Sequence, residues 1–133
     1  MRLARANPEA AGQDRADRLR RDRSAAQVLR AAFPAVQQIH LELKFEGAGR
    51  LTPASQSHKL HPPARAFFEF PCPYADCSGC FNLTAAVKVA MADMARHSEG
   101  VLGCEGLRPH TYASKQPCGL RLIYTVDATP NAK

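Results

Sequence analysis

The chain has no tryptophan, and its 133 residues hold only six Phe and three Tyr, so any core must be built chiefly from aliphatic side chains. No apolar run approaches the roughly 20 residues that a membrane-spanning helix requires. The opening Met1-Arg-Leu-Ala-Arg5 does not lead into an apolar stretch, so no secretory signal is expected. There is no Walker loop, no nucleophile elbow and no dinucleotide-binding glycine pattern, which removes the commonest readable enzyme classes. Cysteine is missing from residues 1–71 and again from 119–133.

The rest of the composition is that of an ordinary folded chain. Apolar residues make up 45% and charged residues 23%, which does not suggest global disorder, and the length suits one domain with a modest core. The net charge of +6 is uneven, because residues 1–30 carry eight Arg against four acids. Arg15, Arg18, Arg20, Arg21 and Arg23 follow one another closely there, with Asp14, Asp17 and Asp22 at spacings that allow pairing along a helix. Arg outnumbers Lys 13 to 5, a bias that also fits a GC-rich bacterial genome.

Along the chain, residues 1–33 read as an Arg-rich arm, helical or disordered, with a thin apolar stripe and Pro34 as its stop. In residues 36–46, Ile39, Leu41, Leu43 and Phe45 alternate with polar neighbours, the pattern of a half-buried strand. A polar segment from Arg50 to Pro63 follows and reads as a long loop. Residues 66–70 read as a second strand. Leu83, Val87, Met91 and Met94 then recur at helical spacing, predicting a helix over 84–98 with Gly100 as its stop. Strands are expected at 101–106 and 118–127, and a disordered tail at 128–133. The expectation is an α+β domain over 34–127, with about four antiparallel strands and one packed helix in the order β-β-α-β-β.

The five cysteines carry the chemistry. Cys72, Cys77 and Cys80 share one loop, and Cys104 and Cys118 follow the expected helix. In a reducing, cytoplasmic setting, clustered thiols bind metal more often than they form disulfides. Two cysteines a few residues apart on a turn can chelate zinc, which takes four soft or borderline ligands in a tetrahedron. Cys77-Ser-Gly-Cys80 offers the favoured two-residue gap, while Cys72 and Cys77 offer a gap of four. Four of the five are expected to ligate, with Cys72 and Cys80 competing for one position. Over residues 72–118 the pattern resembles zinc-ribbon and zinc-knuckle modules, which implies one structural Zn2+ shared by two ligand pairs. It departs from the ribbon pattern in that thirteen residues separate Cys104 from Cys118.

Other chemistries compete with plainer readings. His40-Leu-Glu42 with Pro71-Cys72 resembles the zinc-deaminase signature, but the next cysteine gap is four residues and the pair sits on an alternating strand, so a solvated strand face is preferred. Cys77-x-x-Cys80 before a helix resembles a redox dithiol, yet no βαβ alternation surrounds it. His58 and His61 read as solvent-facing loop histidines. Buried cysteine acting as a small hydrophobe is the competing reading for Cys104 and Cys118.

The expectation is therefore a non-enzymatic, zinc-stabilised binding module, with a cysteine-based redox or metal-dependent enzyme and a metal-sensing or protein adaptor as alternatives. Nucleic acid is the favoured partner, through the arm and through Arg50, Lys59, Arg65, Arg108 and Lys115, with Tyr112 available for stacking. Another protein is the second possible partner; no membrane and no small-molecule substrate is indicated.

Overall fold

The alternation in residues 36–46 produces strand β1, Val36–Glu46, whose side chains at 39, 41, 43 and 45 are buried. The computed structural model describes residues 8–47, 52–109 and 115–131. β1 is one of the two inner strands of a four-stranded antiparallel sheet. The strand order is β2-β1-β8-β5, where β2 is Gln56–Leu60, β8 is Arg121–Pro130 and β5, on the far side of β8, is His97–Gly103. Two short hairpins complete the strands: β3 (Glu69–Pro71) with β4 (Cys80–Asn82), and β6 (Leu107–Pro109) with β7 (Lys115–Pro117).

Among the described residues, three helices accompany these strands: α1 (Pro8–Ala25), α2 (Leu29–Ala32) and α3 (Thr84–Ala92). α3 packs on β5 and β8 through Ala86, Val87 and Ala90. The protein is α+β, as its pattern of periods predicts. The core joins Ile39, Leu41 and Leu43 of β1 to Leu122 and Val126 of β8, with Leu83, Val87 and Phe81 over them. Each fully buried aliphatic side chain contributes roughly 1.5–3 kcal/mol. None of the described helices is long and apolar enough to cross a membrane.

Several boundaries differ from the sequence expectation, each for a local reason. The polar stretch 56–60 is strand, because it pairs residue for residue with β1 from Ile39↔Leu60 to Leu43↔Gln56. The apolar run at 66–70 pairs only from Glu69 onward. α3 ends at Ala92 rather than 98: Arg96 takes a positive φ of 57° and its Nη1 caps the carbonyl of Met91 at 2.7 Å. Met94 thereby falls outside the helix and is exposed. Gly100, expected as the helix stop, lies within β5 opposite Tyr124, whose ring occupies the space a Cβ would need. β8 continues three residues into the expected tail. Ala128 is buried there, and Asn131 closes onto the carbonyls of Pro34 and Ala35 at 2.7 and 2.8 Å.

The N-terminal segment is packed on the rest through few but specific groups. Leu19 and Leu29 are buried. Residues 27–30 hydrogen-bond to 62–66, with Leu29 N–H donating to Ala64 and Ala66 N–H donating to Gln27, both at 2.7 Å.

Candidate metal centre

Both hairpins present cysteines at one end of the main sheet, where β5 finishes and β8 begins. Cys72 and Cys77 belong to the loop joining β3 to β4. Cys104 follows β5, and Cys118 precedes β8, so this pair flanks the β6–β7 hairpin. The two loops are wired alike. Cys72 N–H donates to the Gly79 carbonyl, and Cys118 N–H to the Gly106 carbonyl, each at 3.0 Å. In both Cys-x-Gly segments the glycine N–H turns back to the sulfur: Gly79 to Cys77 Sγ at 3.2 Å and Gly106 to Cys104 Sγ at 3.4 Å. The Tyr74 backbone does the same for Cys72. Amide donors aimed at sulfur favour the thiolate that a metal requires.

The four sulfurs of Cys72, Cys77, Cys104 and Cys118 all lie within 4.8 Å of one another, and all four residues are buried. Cys72 and Cys118 Sγ are 3.7 Å apart, and Cys77 and Cys104 Sγ 3.5 Å. A tetrahedron with metal–sulfur bonds of about 2.3 Å has edges of about 3.8 Å, which these separations approach. They are far beyond the roughly 2.05 Å of a disulfide. The donor set thus fits a tetrahedral metal ion.

Without a metal the cluster divides its protons unequally. Hydrogen bonds, first from Cys72, pull the Cys104 thiol down to about 5. Cys72 is raised, first by that hydrogen bond to Cys104 and then by burial. Burial pushes Cys77 up to about 12. Four thiolates need a cation to share them.

Cys72, and not Cys80, joins the cluster. Cys80 opens β4 opposite Pro71, and with Phe81 turned into the core its own side chain faces the other way, toward α1. There its Sγ accepts a hydrogen bond from Arg18 at 3.3 Å. The two-residue gap that favoured Cys77 with Cys80 is overruled by strand alternation. The same placement removes the Cys77–Cys80 dithiol, since Cys77 faces Cys104.

Two arginines of α1 dock on this end of the molecule, and nothing in their local sequence marks them for it. Arg15 Nη1 donates to the carbonyls of Cys77 and, at 2.9 Å, of Gly79. Its Nε is buried with no hydrogen-bond partner among the described residues. Arg18 pairs with Glu69 at 3.0 Å, and that carboxylate holds its guanidinium well above its ordinary range. Positive charge therefore lies beside a cluster that becomes anionic when its thiols ionise.

The remaining candidates lie elsewhere. His40 and Glu42 pair at 2.8 Å on β1 and share Ser57 of β2, so they form a strand-face network and not a deaminase site. Lys59 is exposed on β2, and exposed Arg65 donates to the Ala26 carbonyl at 2.9 Å. Arg108 and Lys115 occupy β6 and β7, but their side chains, with Arg50 and Tyr112, lie outside the described residues. No family model, curated protein or solved structure matches the chain.

Proposed function

We propose that this chain is a cytoplasmic, zinc-stabilised binding module, with Zn2+ bound by Cys72, Cys77, Cys104 and Cys118 in a structural role and nucleic acid as the partner. The observation that carries the metal reading is the set of four buried sulfurs within 4.8 Å of one another. Four sulfur ligands in a tetrahedron suit zinc or iron, and a site with every position taken by protein leaves none open for substrate or water. Zinc, which has no redox chemistry, fits a site that ties two hairpins and a helix together. Free thiols throughout suit a reducing compartment.

Metal content measured on the purified protein tests this directly. One zinc per chain is expected. A chain that folds with no metal overturns the reading, and a coloured iron centre replaces zinc by iron. The nucleic-acid part rests on the net charge of +6 and its concentration in residues 1–30. Affinity that falls steeply with salt is its expected signature, and absence of binding at low salt ends it.

A further inference from the structure

The arginines of α1 are divided between two tasks. Arg15 and Arg18 engage the loop of Cys77 and the β3–β4 hairpin. Arg20 and Arg23 instead line a groove of about 640 Å³ whose other walls are β2 and residues 64–71. β2 contributes the face it shares with the core residues of β1, yet two of its three positions there are polar, Gln56 and His58. The third wall adds Arg65, Phe67 and Phe70. Among the described residues, three arginines line this space and no Asp or Glu does. Asp17 pairs with Arg20 at 3.0 Å, with the Arg20 side chain largely exposed and that of Asp17 partly so, a kind of pair that contributes little in water and salt.

The rings in the groove are arranged with their faces in use. Arg23 lies over Phe67 at 5.1 Å, and the His58 ring lies against Phe70 with centroids 4.6 Å apart and planes tilted by 31°. His58 Nε2 and Gln56 Oε1 are hydrogen-bonded at 3.0 Å, so the oxygen of the Gln56 amide is engaged and its nitrogen is a further donor on the same strand. Flat cationic and aromatic groups beside an amide are the chemistry that takes up a base and its phosphate together.

We propose that this groove, between α1, β2 and residues 64–71, binds single-stranded nucleic acid, with Arg20, Arg23 and Arg65 on phosphates and His58 and Gln56 against a base. The proposal rests on the reading of the chain as a nucleic-acid-binding module and gives it a surface. A single strand is specified because the side of the His58 ring away from Phe70 is useful only to a base free of its own stack; in a duplex the bases already cover one another. Metal and groove are connected, since α1 forms one wall and is anchored on the cysteine loop by Arg15.

Fluorescence anisotropy of a short labelled single strand, titrated with the zinc-loaded full chain over a salt series, tests the assignment. Arg23→Ala with Arg65→Ala should weaken binding about tenfold or more, and lower the salt slope by about 0.7 for each phosphate that is no longer neutralised. Arg121→Ala, at a surface pair with Glu46 outside the groove, should leave affinity unchanged. Zinc content and melting temperature of each variant show that it is folded, and the ring signals of His58 should shift on titration of the wild-type chain. Binding that survives the double change intact overturns the groove while leaving a nucleic-acid module in place. Absence of wild-type binding at low salt overturns both. Equal binding of duplex, or equal competition by polyglutamate, reduces the site to unspecific charge and overturns the single-strand assignment.

Discussion

Gly79 and Gly106 lie back to back where the two cysteine loops meet, each pressed against the sulfur of the other loop. A Cβ on Gly79 would stand 2.5 Å from Cys104 Sγ, and one on Gly106 would stand 2.7 Å from Cys77 Sγ while striking the Gly79 backbone. The loops are laced further by Ser78, whose N–H donates to the Leu107 carbonyl at 3.1 Å and whose Oγ accepts from Leu107 N–H at 3.0 Å. Four sulfurs can converge here only because neither chain segment carries a side chain at the crossing.

Alanine at either glycine should therefore destabilise the metal-loaded protein. Overpacking in a core costs typically about 1–3 kcal/mol, and here rigid backbone and ligand sulfur must give way, so the upper end is expected, together with weaker metal retention. Gly103→Ala is the matched control: a Cβ there meets nothing within 4 Å, and loss of glycine's freedom in the unfolded chain should stabilise slightly. Urea melts of the three variants read this. A Gly106→Ala protein as stable as the parent would show that the loops do not meet as described.

The cysteines should separate four to one. Serine at Cys72, Cys77, Cys104 or Cys118 should abolish tight metal retention, whereas Cys80→Ser should keep one metal per chain. Zinc binding by small structural sites amounts to about 10–16 kcal/mol, against whole-domain stabilities of about 5–15 kcal/mol. Chelation should accordingly unfold residues 66–127, seen by circular dichroism, and acidification should promote the loss because the thiols must be deprotonated to ligate. A Cys80→Ser variant that loses its metal, with Cys72→Ser keeping it, would reverse the assignment.

How much of this could be read beforehand depended on whether the deciding partner was near in sequence. β1 was legible because its alternation is self-contained. β2 was not: Gln56 and His58 face the core side but are polar, and only pairing with β1 makes the segment a strand. That four of the cysteines converge on one buried cluster with the spacing a metal ion needs was legible, since their clustering in sequence needs no geometry. The choice of Cys72 over Cys80 needed the hairpin register, which turns Cys80 toward Arg18. A signal did exist in the repeated Cys-x-Gly at 77–79 and 104–106, which marks both sulfur-binding turns. The contact of Arg15 with Cys77 and Gly79 joins residues more than sixty apart and left no local trace.

That contact makes Arg15 a positioning residue for α1. Arg15→Ala should loosen the helix from the cysteine loop and cost about 1.5–3 kcal/mol, the range for hydrogen bonds from a charged group. Both bonds come from the one nitrogen Nη1, so Arg15→Lys, whose ammonium also carries several donors on one nitrogen, should recover part of this stability. Hydrogen exchange gives the distinguishing readout: amides of α1 should lose protection while those of β1 and β8 keep theirs. Uniform loss across the sheet would mean that Arg15 supports the whole fold and not the docking of one helix.

Two histidines should titrate in opposite directions in one NMR experiment. His97, on the surface, is raised above 6.5 by its hydrogen bond to Asp127, at 2.6 Å, and then by Glu99. Its protonated form is favoured by folding, so its stabilising contribution is complete below pH 6.5 and fades as pH rises through the folded value. Asp127→Asn should return it toward 6.5. His58 is lowered, first by burial and then by Arg23. The unfolded chain takes up that proton more readily, so His58 costs stability as pH falls below 6.5, and the cost levels off beneath its folded value. Arg23→Ala should raise His58 only in part, because burial, the larger cause, remains. If His58 titrates at or above 6.5 in the folded protein, its ring is open to water and does not lie against Phe70 in the groove.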